Sequence, residues 1–310
     1  MAGQEGVELQ EEFIPYIKEF PEAEELLRLI QNKLEKQSDV LELAVHELSE
    51  SDCQLLAQLK PFARLKSLSL NDVRMTTGGL QYFCVSPHLA QLETFLIENN
   101  NIDDDGLFFI SKVRTFSHLR KLGLTSNEFG EVGVAALAKS QTLTSLEHLD
   151  LSYNRIFPGG MKALAGSTLA SRLVSLNLTD TGIGDDGLRY LAAGQPMTRL
   201  ESLNLSHNQL TDQGMDFLSQ SETFPNLKTL ILDHNAIGDD GVYFLCESSL
   251  GSSLQELAIQ CNELTADSAI SLAQSKSLHH LKILDLNNND LRAEGCQAVA
   301  QSENMKNLHR

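Results

Sequence analysis

A leucine opens a new unit every 27 residues, at Leu65, Leu92, Leu119, Leu146, Leu173, Leu200, Leu227, Leu254, Leu281 and Leu308, with no insertion between them. A fixed period of this size constrains the chain strongly. One such unit cannot bury its own apolar side, so like units must stack and share a continuous core. Within a unit, Leu200-Glu-Ser-Leu-Asn-Leu205 alternates apolar and polar residues, as a short strand with one buried side does. After Thr211-Asp-Gln-Gly214, Met215, Phe217 and Leu218 follow at helical spacing.

Counting back one period from Leu65 reaches Ser38, with Leu41, Leu43 and Leu48 in the strand columns and Leu56 in the helix column. The repeats therefore occupy 38–310, as ten full units over 38–307 and a terminal strand stub. Residues 1–37 read as an N-terminal helical cap, because a solenoid needs its first unit covered. Its first 7 residues read as disordered. Pro15 and Pro21 disfavour one long helix, so the cap is expected as a short helix, a turn near Pro21 and a second helix over 22–36. Glu22, Glu24 and Glu25 open that second helix and Lys33 and Lys36 close it, in keeping with its dipole.

Each column of the unit has a physical reading. Positions one, four and six point inward, and position eleven (Ile102, Ile183, Leu210) is buried where the chain leaves the strand. Position nine is Asn100, Asn127, Asn154, Asn208, Asn235, Asn262 and Asn289, interrupted by Val73 and Thr181, with His46 in that place in the first unit. A stack of buried amides can satisfy turn backbone groups that neither strand nor helix pairs. Thr181 can supply a weaker version of those bonds and Val73 cannot. Glycine dominates position fifteen, which implies close approach of the helix's first turn to a neighbour. Tyr82, Phe109, Tyr190, Phe217 and Phe244 at position eighteen are expected to pack between helices.

The pattern LxxLxLxxNxL followed by xxxGLxxLA resembles the leucine-rich repeat, and its helical second half resembles the ribonuclease-inhibitor type. The resemblance implies an α/β right-handed horseshoe with a concave parallel sheet and convex helices. Spacing leads to the same curvature. Strands sit about 4.8 Å apart and helices about 8–10 Å apart, so each unit turns by roughly 20–30°.

Composition bounds the function. A net charge of −18 opposes binding to nucleic acid phosphates and to anionic membranes, and it favours a partner with a basic surface. Five cysteines without a CxxC pair argue against a disulfide framework, and Cys53, Cys84, Cys246 and Cys296 stand in apolar columns. No secretory signal or membrane span is legible, so a cytoplasmic setting is expected. Phosphate-loop, dinucleotide and HExxH fingerprints are absent, and neither enzyme activity nor a cofactor is expected.

The candidate site is the concave face, where a partner protein would bind. Its polar strand positions include His148, Asp150, Asn177, Asn204 and Asp285, followed by His207, Asp233 and His234 at the strand ends. Position eight runs Tyr153, Asp180, His207, His234, Cys261, Asn288. Two imidazoles flanked by a carboxylate and a thiol are ligands zinc accepts, but a straight column does not converge on one ion, and the plainer reading is surface residues beside the asparagines. The acidic residues before the helices, from Asp103-Asp104-Asp105 to Glu294, read as helix caps rather than a calcium site. A protein-binding module is therefore expected. The alternatives are a small-GTPase regulator resembling the Ran GTPase-activating protein, and an inhibitor of a basic enzyme resembling ribonuclease inhibitor. The oligomeric state is left open.

Overall fold

The computed structural model describes residues 9–43 and 47–308, so residues 1–8 and His46 lie outside the described residues. Helix α1 (Ile14–Glu19) carries Pro15 in its first turn, where a missing amide leaves no bond unmade. A single 3-10 turn at Pro21–Ala23 leads into α2 (Glu24–Lys36). Phe13, Leu27 and Ile30 share one core with Leu41 of the first strand. The Tyr16 hydroxyl donates to the Gln58 carbonyl at 3.0 Å and accepts from the Lys60 amide at 3.1 Å.

Strand and helix then alternate. The first units give β1 (Val40–Glu42), α3 (Glu50–Gln58), β2 (Ser67–Ser69), α4 (Thr77–Cys84), β3 (Thr94–Leu96), α5 (Asp104–Lys112), β4 (Lys121–Gly123) and α6 (Glu131–Ala138). The middle ones give β5 (His148–Asp150), α7 (Phe157–Ala165), β6 (Ser175–Asn177), α8 (Gly184–Ala192), β7 (Ser202–Asn204) and α9 (Asp212–Ser219). Last come β8 (Thr229–Ile231), α10 (Asp239–Glu247), β9 (Glu256–Ala258), α11 (Ala266–Gln274), β10 (Ile283–Asp285) and α12 (Arg292–Ala300). Among the described residues the ten strands form one parallel sheet in sequence order. Leu122 sits opposite Leu149, and Leu149 opposite Leu176, each one period along. A slip of one residue would turn every buried leucine to solvent, so this register is firmly held. The sheet lines the inside of a right-handed horseshoe and the helices its outside, with one core between them.

The inward columns are buried as expected, except at β10. There Leu284 and Leu286 are half-buried, because no unit covers them among the described residues. The same reason corrects the reading of Cys296, which stands in a column buried elsewhere and is exposed here. Burial pushes the thiols of Cys53 and Cys84 up to about 12 and that of Cys246 to about 11, which leaves them inert at neutral pH. The position-eighteen aromatics Tyr82, Phe109, Tyr190, Phe217 and Phe244 are all half-buried, with Tyr82 and Phe109 packed against the core.

The asparagine ladder forms. Asn208, fully buried, donates to the carbonyls of Leu178 at 2.7 Å, Leu205 at 3.1 Å and Ser206 at 3.0 Å. Its Oδ1 accepts from the Thr181 and Ile183 amides of the preceding unit at 3.2 and 3.3 Å. Thr181 does supply a reduced version, its hydroxyl donating to the Leu178 carbonyl at 2.7 Å. Val73 offers no such bond and is simply buried.

Helix capping crosses between units, which the sequence reading did not anticipate. Asp103 does cap its own α5 through the Gly106 amide at 3.2 Å. Asp104 and Asp212 instead reach forward to the next helix. Asp104 accepts from the Gly130 and Gly133 amides at 2.7 and 2.8 Å, and Asp212 from those of Gly238 and Gly241 at 2.7 and 2.9 Å. Gly130 and Gly238 stand at the N-caps of α6 and α10 with no side chain to do this themselves. The carboxylate one unit back takes over the task.

Asp239 goes furthest, taking the amides and hydroxyls of both Thr265 and Ser268. Burial pushes its carboxyl up, but these donors outweigh that and hold it below its ordinary value of 3.8. A depressed carboxylate contributes stability above its unfolded-state pKa and loses it as pH falls through the folded one. Asp239→Asn is therefore expected to cost about 1–2 kcal/mol at pH 7 and progressively less below pH 4, read from urea unfolding at both pH values. A cost that stays constant down to pH 2 would contradict this reading.

Candidate functional site

Strand alternation sends positions three and five of each unit to the inner face. In β4 to β8 these residues surround a hollow of about 420 Å³, lined by Lys121, His148, Asp150, Ser175, Asn177, Ser202, Asn204 and Ile231. Four of the expected site residues, His148, Asp150, Asn177 and Asn204, thus meet in one place.

Their orientation is fixed by hydrogen bonds to the chain just beyond each strand. Asp150 Oδ1 accepts from the Ser152 amide at 3.0 Å and hydroxyl at 2.6 Å. Asn177 and Asn204 repeat the arrangement with Thr179 and Ser206. This turn is the local reason for Asp or Asn at position five with Ser or Thr two residues on. Across the strands, Asn177 Nδ2 donates to Asp150 Oδ2 at 2.9 Å. The Asn204 oxygen is engaged, leaving its NH₂ as the end of that amide free to donate into the hollow.

A second carboxylate approaches that the sequence reading did not place in the site. Glu98 lies over Gly123, where an added Cβ would come within 2.6 Å of Glu98 Oε1. Burial, then the nearby charges of Asp150 and Asp72, push its carboxyl up, while Lys121 pulls it down. The glycine at position five, facing a glutamate one unit back, was the available signal. The upper end of the hollow is accordingly acidic, with Lys121 and His148 exposed at its margin.

The remaining expected residues lie elsewhere. Asp233 is engaged by the amide and side chain of Gln260, at 3.0 and 2.9 Å. Asp285 is on β10, lining a separate cavity of about 700 Å³ at that end of the sheet. His207 and His234 stack as parallel rings, 4.1 Å between centroids and 11° apart, on the turn after the strands. Position eight has a positive φ of 51–57° in all nine units from Asp72 to Asn288. Asp, Asn and His tolerate that left-handed conformation better than most residues, which accounts for much of the column's composition. Among the described residues no group of three or more His, Cys, Asp or Glu side chains is arranged to hold a metal ion. No described helix is long and apolar enough to cross a membrane.

Known proteins share this arrangement. A leucine-rich repeat family model matches residues 117–138, 142–165, 172–192, 197–219, 225–246, 252–273 and 277–300, together just over half of the chain. The chain belongs to the leucine-rich repeat family. No curated protein matches it. Among solved structures it is similar to a TLR13–ssRNA13 complex, with 20% identity and a TM-score of 0.51. That likeness covers 83% of this chain and only 37% of the TLR13 chain, and it speaks to fold alone. Leucine-rich repeats of this kind present an extended surface suited to protein–protein interaction.

Proposed function

We propose that this leucine-rich repeat chain is a non-enzymatic module that takes a protruding, basic segment of another protein on its inner face. The supporting observation is the hollow itself. Asp150 stands there in a fixed orientation, with one oxygen held by Ser152 and the other by Asn177, and Glu98 adds a second carboxylate nearby. A partner arginine or lysine entering the hollow would meet preorganised acceptors, while the Asn204 NH₂ is available to a backbone carbonyl. The similar TLR13 structure contains RNA, but a net charge of −18 and these carboxylates oppose a phosphate backbone here.

The test is a binding measurement with the dominant partner recovered on the full chain from source-cell lysate. Asp150→Arg and Asn204→Arg are expected to weaken binding by about tenfold or more, whereas Asp285→Arg at the far end leaves it unchanged. Full affinity in Asp150→Arg would rule the hollow out as the docking point. We also place the chain in a reducing compartment such as the cytoplasm, where its five unpaired cysteines remain thiols. Fluorescence microscopy of the tagged chain in its source cell checks this, and a secreted pool with paired cysteines would refute it.

A further inference from the structure

The outer surface carries a second, independent feature. Between α5 and α6 runs a groove of about 580 Å³, lined by Phe108, Val132 and Ala135, with Glu131 at one end and Lys112 and Lys139 at the other. Phe108 is 47% and Val132 66% exposed. Core packing does not account for them.

The repeat makes both departures visible. Position fourteen of the unit is Gly or polar throughout, including Asp105, Asp186, Asp240 and Asp267, except at Val132. Lysine occupies position twenty-one only in two consecutive units, at Lys112 and Lys139. The apolar breach and the paired cations thus fall together, on a chain whose net charge is −18 and whose helices mostly open with acids. The Lys112 ammonium lies 5.3 Å from the Phe108 ring centroid, so it already stands at the margin of the groove. Lys112 ends α5 and Lys139 follows α6, while Glu131 begins α6, which gives the groove a positive end and a negative end.

We propose that this groove docks an amphipathic helix of a partner protein. The helix presents apolar side chains at i and i+3 or i+4 to Phe108, Val132 and Ala135, with acidic residues at the end that meets Lys112 and Lys139. Two parallel helices with a furrow between them are a seat for a third, and the charges set its direction. The surface is distinct from the inner hollow, and its partner carries the opposite charge.

The experiment pans a phage-displayed library of random 16-residue peptides on the full chain, with the Val132→Asp chain as the subtracting target. Asp at 132 lies in the first turn of α6, where negative charge suits the helix dipole, and circular dichroism verifies that this variant folds. Enriched peptides are expected to carry apolar residues at helical spacing and Asp or Glu at one end. Synthesised, they should bind at least about tenfold more weakly to Val132→Asp and to a Lys112→Glu, Lys139→Glu double variant, and equally well to Asp150→Arg. The proposal is overturned if no sequence is enriched, if the peptides bind Val132→Asp as tightly as the parent, or if they ignore the lysine reversal. It is equally overturned if light scattering shows a dimer of this chain that Val132→Asp dissolves, since a second copy would then occupy the groove.

Discussion

Replacing Asn208 with alanine is expected to lower the unfolding free energy by about 3–5 kcal/mol, measured by urea denaturation. The side chain is fully buried and serves carbonyls at Leu178, Leu205 and Ser206 and amides at Thr181 and Ile183. Alanine leaves several of these without a partner in a place water does not reach, and each such group costs about 1–3 kcal/mol. The damage falls between two units, so coupling across that seam should weaken too. Unfolding is then expected to broaden or separate into two steps, because a solenoid's cooperativity rests on its nearest-neighbour contacts. Thr181→Val, which removes a single hydroxyl from the same seam, should cost only about 1 kcal/mol. A loss below 1 kcal/mol for Asn208→Ala would mean that the ladder is incidental to stability.

Gly241→Val is expected to cost about 3 kcal/mol or more, whereas Gly241→Ser should cost about 1 kcal/mol. A Cβ at Gly241 would stand 2.6 Å from Asp212 Oδ1 and 2.8 Å from Ile237 Cγ2. Valine therefore crowds the carboxylate that accepts from the Gly238 and Gly241 amides, so the cap on α10 is lost along with the packing. Serine adds the same Cβ but brings a donor. The following unit uses that solution, with the Ser268 hydroxyl donating to Asp239. Thermal unfolding of the two variants side by side decides the matter. Equal destabilisation would show that the added Cβ alone sets the cost in this column and that the serine hydroxyl restores nothing of the cross-unit cap.

These seams show how far the sequence could be read. A buried asparagine column was legible because each unit places the same amide at the same step, and Thr181 could be recognised as its partial substitute. The role of the helix-opening aspartates was only half legible. Asp103 caps its own helix as such residues commonly do, but Asp104 sits one place further on and serves the next unit. That difference depends on how far α5 and α6 are offset along the stack, which a single unit's pattern does not contain. The inner face divides in the same way. His148, Asp150, Asn177 and Asn204 were legible as neighbours because consecutive strands share a register. Asp285 shared the column of Asp150, Asn177 and Asn204 but not their place, lying several strands away at the edge of the sheet.

By itself the sequence determined the stacked α/β architecture, the strand register and the identity of the core columns. Period and burial are linked directly, since only one alignment of successive units hides all the leucines. The tertiary structure alone decided which residues of different units face each other: Glu98 beside Asp150, Asp212 beneath Gly241, and Phe108 alongside Val132. Such meetings depend on curvature and on the offset between neighbouring helices. These are set by the packing of whole layers rather than by any residue's own column.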